Sequence, residues 1–198
     1  MSDETKRRVV LLLGHPDPRP ERLGNALAQA YAEGAEQAGH TVRRVEIGKL
    51  DFPLLRSKDE WTSGSLPESL QTAQEAIRWS QHIVLFFPLW MGTMPALVKA
   101  FLEQVLRPGF AVQTDERQQW RRALAGRSAR VVVTMGMPAS LYRWYFLGHG
   151  IRGLERNVLA TCGLKPVRQT LIGMVDGSSR RRHDRHFRKM RELGQRAL

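Results

Sequence analysis

The chain has 198 residues, of which 42% are hydrophobic and 25% charged, with 17 Gly and 10 Pro; these proportions exclude collagen-like, coiled-coil and disordered chains and suit one domain whose core needs no disulfide or metal. The 31 Lys and Arg against 19 Asp and Glu give a net charge of +12, a field that draws anions such as nucleotides, nucleic acid and acidic lipid headgroups. A single cysteine, Cys162, excludes an intrachain disulfide and a cysteine-built zinc site, and points to a reducing, cytoplasmic setting.

In chain order, residues 1–7 form a short polar tail, and the first apolar run, Val9 to Leu13, is too short for the core of an export signal. That run ends in Gly14 and reads as a strand buried on both faces. Leu23, Ala26, Leu27, Ala30, Tyr31, Gly34 and Ala38 then recur at helical spacing, stopped by Gly39. Thr41 to Ile47 alternates apolar and charged residues, as an outer strand does. Gly48 to Gly64 is irregular, and Pro67 starts a helix carrying Leu70, Ala73 and Ile77. His82 to Phe87 is a second buried strand, and Pro95 opens another helix. Trp79 to Val98 holds no Asp, Glu, Lys or Arg, but Pro88 and Pro95 interrupt it, so it reads as strand, loop and helix start instead of a membrane span. Ala129 to Met135 is a third buried strand, Ile151 to Thr161 a helix closed by Gly163, and Val167 to Val175 a fifth strand. Ser179 caps a final helix running to about Leu193. Residues 176–198 carry eight basic against three acidic side chains, a solvated face or a patch for peripheral association with anionic surfaces. No helix-turn-helix, zinc finger or aromatic-basic platform accompanies them, so specific nucleic-acid reading is not expected. His183 and His186 flank Asp184 without a third placed ligand and read as a helix face, so no metal is expected.

Strands alternating with helices imply right-handed crossovers and a parallel sheet covered on both faces. Five strands in one domain spanning 1–198 favour the order 2-1-3-4-5, with a ligand beyond the carboxyl ends of the strands. Three loops lie there. Gly14 to Arg22 leads a strand into a helix N-terminus, where free N–H groups with His15, Arg19 and Arg22 suit a phosphate. Pro88 to Met94 offers Trp90, Met91 and Gly92, the material of a planar-ligand pocket. Thr134 to Pro138 is followed by Tyr142 and His149, which could hydrogen-bond or protonate a reducible carbonyl. No G-x-S-x-G elbow or Ser/His/Asp set is present, which disfavours hydrolysis.

Leu13-Gly14-His15-Pro16, Phe87-Pro88-Leu89-Trp90, Met94 to Lys99, Arg107-Pro108-Gly109-Phe110-Ala111, Leu124 to Arg127, Thr134 to Tyr142, His149-Gly150 and Cys162-Gly163 follow one another in colinear order. Together they resemble the flavodoxin-like NAD(P)H:quinone oxidoreductases, a family with quinone reductases, modulator of drug activity proteins and potassium-efflux ancillary subunits. The resemblance implies a flavodoxin-like α/β fold and bound FAD or FMN, reduced by NADPH or NADH and reoxidised by a quinone. It also implies a homodimer with active sites at the interface. It assigns flavin contact to His15, Arg22 and Leu23, to Pro88, Leu89, Trp90, Met91 and Gly92, and to Thr134, Met135, Gly136, Met137 and Tyr142. Tyr142 and His149 would assist hydride transfer. Three departures stand out: His15 to Gly24 has no Ser or Thr, Pro138 removes an N–H from the third loop, and Gln113 to Gln119 is polar where relatives carry aromatics. An alternative is a binding or regulatory module of the same fold, with little turnover, acting through its basic face.

Overall fold

The structure, a computed structural model, describes residues 6–114, 120–177 and 179–198. Five parallel strands form the central sheet: β1 (Arg8–Leu13), β2 (Thr41–Glu46), β3 (His82–Pro88), β6 (Ser128–Thr134) and β7 (Val167–Ile172), in the spatial order β2-β1-β3-β6-β7. This is the expected five-strand order, with a short antiparallel hairpin, β4 (Val112–Thr114) and β5 (Trp120–Arg122), inserted between its third and fourth members. The continuous apolar runs occupy the middle: every residue of β3 is buried, and Leu85 pairs with Leu12 on one side and Val131 on the other. The alternating strands, β2 and β7, lie at the edges, where one face meets solvent.

One face of the sheet (Val9, Leu11, Val84, Phe86, Val132) buries Leu27, Ala28 and Tyr31 of α1 (Leu23–Gln37) and Met190 of α7 (Arg180–Gln195). The other (Val10, Leu12, Leu85, Val131, Val133) is covered by α3 (Glu68–Trp79), α4 (Ala96–Val105) and the segment Ile151 to Leu159. The basic helix α7 lies on α1 through two glycines. A Cβ on Gly34 would sit 2.1 Å from the Arg191 carbonyl oxygen, and one on Gly194 2.1 Å from that of Tyr31, so the two backbones touch. Arg191 Nε reaches Glu33 Oε2 at 3.1 Å beside this crossing.

Several elements differ from the expectation. The irregular stretch contains α2 (Lys58–Ser63), capped by Ser57, whose side chain accepts from the Glu60 N–H at 3.1 Å. Ser57-Lys58-Asp59-Glu60 is a capping-box pattern, hidden by the lack of any buried residue in the helix. A further short helix, α5 (Ala139–Trp144), follows the third loop. The expected helix at Ile151 to Thr161 divides into α6 (His149–Gly153) and a π-helical segment, Leu154–Leu159. Ser179 stands at the N-cap of α7 without a side-chain bond, and α7 runs on to Gln195. Among the described residues no helix is long and apolar enough to cross a membrane; Trp79 to Val98 is the end of α3, β3, a turn and the start of α4. Residues 1–5 of the tail and 115–119 of the polar stretch lie outside the described residues.

At the amino ends of the strands a polar cluster is buried. His82, 1% exposed, bonds through Nδ1 to Ser128 Oγ at 2.8 Å, and its Nε2 has no partner. Arg130 donates to Thr170 Oγ1 at 2.7 Å and to the Leu198 carbonyl oxygen at 2.5 Å. Burial, with the nearby Arg130 and Arg7 charges, pushes the His82 imidazole down to about 3.

Candidate functional site

The site is assembled at the carboxyl ends of the strands. Gly14 leaves β1 with its N–H on the Phe86 carbonyl at 2.7 Å, and a Cβ there would sit 2.7 Å from the Val98 methyl. The first loop is therefore pressed onto β3 and α4, and only glycine fits. It then folds around Asp17. The Asp17 N–H donates to His15 Nδ1 at 3.0 Å, and its carboxylate accepts from Arg19 Nη2 at 2.6 Å and Arg22 Nη2 at 2.5 Å. Asn25 Nδ2 closes the loop on the Arg19 carbonyl at 2.8 Å. Arg22 stands at the N-cap of α1 without a side-chain cap, and the first amide to turn inward is Asn25, on the Arg22 carbonyl at 2.9 Å. The Leu23 and Gly24 N–H groups thus point out of the helix end, and a Cβ on the buried Gly24 would meet nothing within 4 Å. Free amides, the helix dipole and two guanidinium groups make an anion cradle.

Its electrostatics follow from the contacts. The Arg19 guanidinium holds the Asp17 carboxyl well below the usual carboxylate range. Burial, then the Arg22 charge, lowers His15 from its ordinary value, so the ring is neutral at pH 7. Because Nδ1 accepts, Nε2 carries the proton and is the ring's donor.

The second loop is a two-residue hairpin. Trp90 and Thr93 exchange N–H to carbonyl bonds at 2.9 and 3.0 Å, with Met91 at φ 48° and Gly92 at φ 79°. Two consecutive left-handed residues define a type I′ turn, which glycine adopts freely and methionine only with strain. The turn leaves Met91 fully exposed and Trp90 49% exposed, with the indole edge-on to His15 at a centroid distance of 6.2 Å. The Leu89 N–H bonds the Thr134 carbonyl at 2.8 Å, joining this loop to the third.

In the third loop the backbone is consumed by the sheet. Met135 donates to the Ile172 carbonyl and accepts from the Val175 N–H, and the Met137 carbonyl accepts from Met174 at 3.1 Å. Gly136 faces outward, with the Asp176 carboxylate so close that a Cβ would meet Oδ2 at 2.6 Å. Tyr142, 2% exposed, reaches back under the second loop: its hydroxyl donates to the Gly92 carbonyl at 2.9 Å and accepts from the Ile151 N–H at 3.3 Å. Burial raises its pKa above the ordinary tyrosine value. Gly150 packs on the same turn, where a Cβ would lie 2.3 Å from the Gly92 oxygen, and so sets the exposed His149 beside it.

Of the expected residues, the structure brings His15 against Trp90, with Arg22 joined through Asp17, Met91 and Gly92 in the same turn and His149 next to Gly150 on it; Gly136 is exposed on the third loop, and Leu89, Thr134 and Met137 are half-buried or buried. Pro88 and Met135 are buried, and Leu23 offers its amide while its side chain packs on the core. The Met135 thioether lies in the core, and the Tyr142 hydroxyl is engaged by backbone on both sides. Sequence reasoning missed Asp17, Asp176 and Gly150. The Asp17-Pro-Arg19 and Arg22 spacing in a proline-rich loop is a readable sign of the first; nothing local marks the other two.

Several known proteins resemble the chain in sequence or in fold. A ribosyldihydronicotinamide dehydrogenase-like protein, traD, from Penicillium crustosum is 28% identical over 178 residues, which are 77% of this chain and 64% of that protein. The chain therefore spans less than two thirds of that relative's length. Among solved structures, the NAD(P)H:quinone oxidoreductase from Methanothermobacter marburgensis superposes with a TM-score of 0.79 at 20% identity, covering 96% of both chains. An FMN-dependent NADH-azoreductase of Bacillus anthracis, solved with FMN, gives 0.73 at 12% identity, covering 95% of this chain and 98% of that one. At such identities the structural likeness speaks to the fold. The profile of the family described as flavodoxin-like fold matches residues 7–193, nearly the whole described chain, and the chain belongs to that family.

Proposed function

We propose that the chain is a flavin-dependent NAD(P)H oxidoreductase that delivers two electrons to quinones or similar acceptors. One observation carries this reading: the open N-terminus of α1 is flanked by Arg22 and follows the loop of His15, whose ring meets the indole of Trp90 edge-on at a centroid distance of 6.2 Å. A phosphate cradle and a flat apolar wall thus lie side by side, the two demands of a phosphorylated planar cofactor. The names of the similar proteins, a dehydrogenase-like protein, a quinone oxidoreductase and an FMN-dependent azoreductase, support the same chemistry.

The residues present fit FMN or FAD. The Leu23 and Gly24 amides, His15 and Arg22 would hold phosphate, once Arg22 exchanges the Asp17 carboxylate for it. Trp90, Met91 and Gly92 would line the ring, and the backbone at Gly136 its polar edge. Bound flavin supplies two-electron transfer between a nicotinamide and the acceptor. His149, exposed beside the 90–93 turn, is placed to donate a proton or to stabilise negative charge. Tyr142 is a positioning residue that holds the Gly92 carbonyl. An open apolar groove of about 680 Å³, lined in part by Leu55, Trp61, Leu102, Leu106 and Val158, supports a homodimer built on that side. The buried free thiol of Cys162 suits a reducing cytoplasm.

The competing reading, a module with little turnover, is favoured by Asp17, an anion already seated on both arginines. Titration with FMN and FAD, then steady-state turnover with NADPH or NADH and a benzoquinone, separates the two. A protein left colourless by both flavins would overturn the proposal, and bound flavin without turnover would favour the module.

A further inference from the structure

The function just proposed leaves the most conspicuous surface of the molecule unused. Between Tyr142 and His149 the chain presents Trp144, Tyr145, Phe146 and Leu147 consecutively, with 76%, 76%, 46% and 47% of their surfaces exposed. The segment is a shaped knob. The Tyr145 N–H bonds the Leu141 carbonyl at 2.9 Å, and the Gly148 N–H returns to the Tyr142 carbonyl at 3.1 Å. Leu147 and Gly148 both adopt left-handed backbone, at φ 54° and 61°, and the Tyr145 and Phe146 rings meet edge to face at 5.0 Å. The loop stands on Tyr142, whose hydroxyl bonds the Gly92 carbonyl, so the fully exposed Met91 lies beside it on the same rim of the site.

Basic side chains flank the knob in the chain and line a hollow beside it. Arg143 precedes it and Arg152 follows on α6, both exposed. Lys189 lines one hollow together with Arg143 and Trp144. Arg180, Arg181 and Arg182 open α7 directly after the carboxyl end of β7, the end of the sheet that carries the site. An apolar projection with tryptophan and tyrosine, flanked by cationic side chains, matches the layered chemistry of a bilayer surface, acyl chains below and anionic headgroups above. A second copy of this chain, itself +12, would bring like charges together here, and nucleic acid offers no apolar interior for Phe146 and Leu147.

We propose that Trp144–Leu147, with Met91 and the flanking arginines, docks the protein on an anionic lipid bilayer and turns the mouth of the site towards it. Resting on the proposed function, this names the acceptor class as a lipid-soluble quinone. NAD(P)H gives up a hydride to become NAD(P)⁺, and the quinone takes two electrons and two protons, one of them from solvent, to become the quinol.

The test uses the full chain with flavin and vesicles of phosphatidylcholine with or without phosphatidylglycerol. Co-sedimentation should require phosphatidylglycerol, weaken as salt is raised, and fall about ten-fold or more when Trp144→Ser and Phe146→Ser are combined. Turnover with a long-chain quinone embedded in the vesicles should fall with it, while turnover with a water-soluble benzoquinone stays unchanged. Unaltered vesicle binding by the double variant, no binding by the wild type, or Trp144-dependent self-association without vesicles would each overturn the proposal. The water-soluble assay reports on the oxidoreductase reading separately.

Discussion

Replacing Tyr142 with Phe removes one oxygen and nothing else, which makes it a sharp probe of how the site is held. The hydroxyl is at once the donor to the Gly92 carbonyl (2.9 Å) and the acceptor for the Ile151 N–H (3.3 Å). Neither group can readily recruit water, because Gly150 packs against the Gly92 oxygen and Ile151 is buried. An unpaired buried polar group costs about 1–3 kcal/mol, and the longer of these two bonds belongs at the low end, so a loss of about 2 kcal/mol is expected. For a chain of this length that is a fall of roughly 4–8 °C in Tm, read by thermal or denaturant unfolding. The freed turn should also lower flavin affinity, measured by titration, while the rate of flavin reduction at saturating flavin in stopped flow stays near the wild-type value. A Tyr142→Phe variant of unchanged stability but with flavin reduction slowed ten-fold would refute the reasoning and make the hydroxyl a catalytic group.

Three further outcomes follow from packing and burial. Gly194→Ala sets a methyl 2.1 Å from the Tyr31 carbonyl oxygen and should destabilise by about 1–3 kcal/mol in denaturant unfolding. Gly24→Ala, with nothing within 4 Å of its Cβ, should instead gain up to about 1 kcal/mol of helix propensity. His82 is held near 3 in the folded chain against 6.5 in the unfolded one. Its contribution to stability is therefore complete above pH 6.5 and is lost by about 1.4 kcal/mol per pH unit as pH falls towards 3. Between pH 7 and pH 5 the wild type should lose about 2 kcal/mol more than His82→Asn; parallel pH profiles would contradict the assignment.

The strand order was readable because it depends on local patterns. The run Ile83 to Phe87 has no polar break and belongs in the middle of a sheet, while the alternating Thr41 to Glu46 belongs at its rim. The hairpin Val112–Thr114 with Trp120–Arg122 is too short to carry a period, and polar α2 buries nothing, so both escaped notice. At the site, residue types were legible and their directions were not. Trp90 faces out because Met91 and Gly92 can both take the left-handed turn. Tyr142 faces in because its partner, Gly92, lies 50 residues earlier in the chain. Met135, one residue past β6, continues the inward alternation of Val131 and Val133, a direction the strand's period makes legible. The role of Asp17 is not legible from charge counting, which weighs arginines singly, whereas here one carboxylate engages two of them.

The meeting of Gly34 with Gly194 has a mechanical consequence. Side chains between helices act as springs, since rotamers can shift and let the helices slide; two backbones in direct contact leave no such slack. Helices α1 and α7 therefore cannot slide past each other at that crossing without parting, which ties the helix that begins at Leu23 and Gly24 to the one that begins at Arg180.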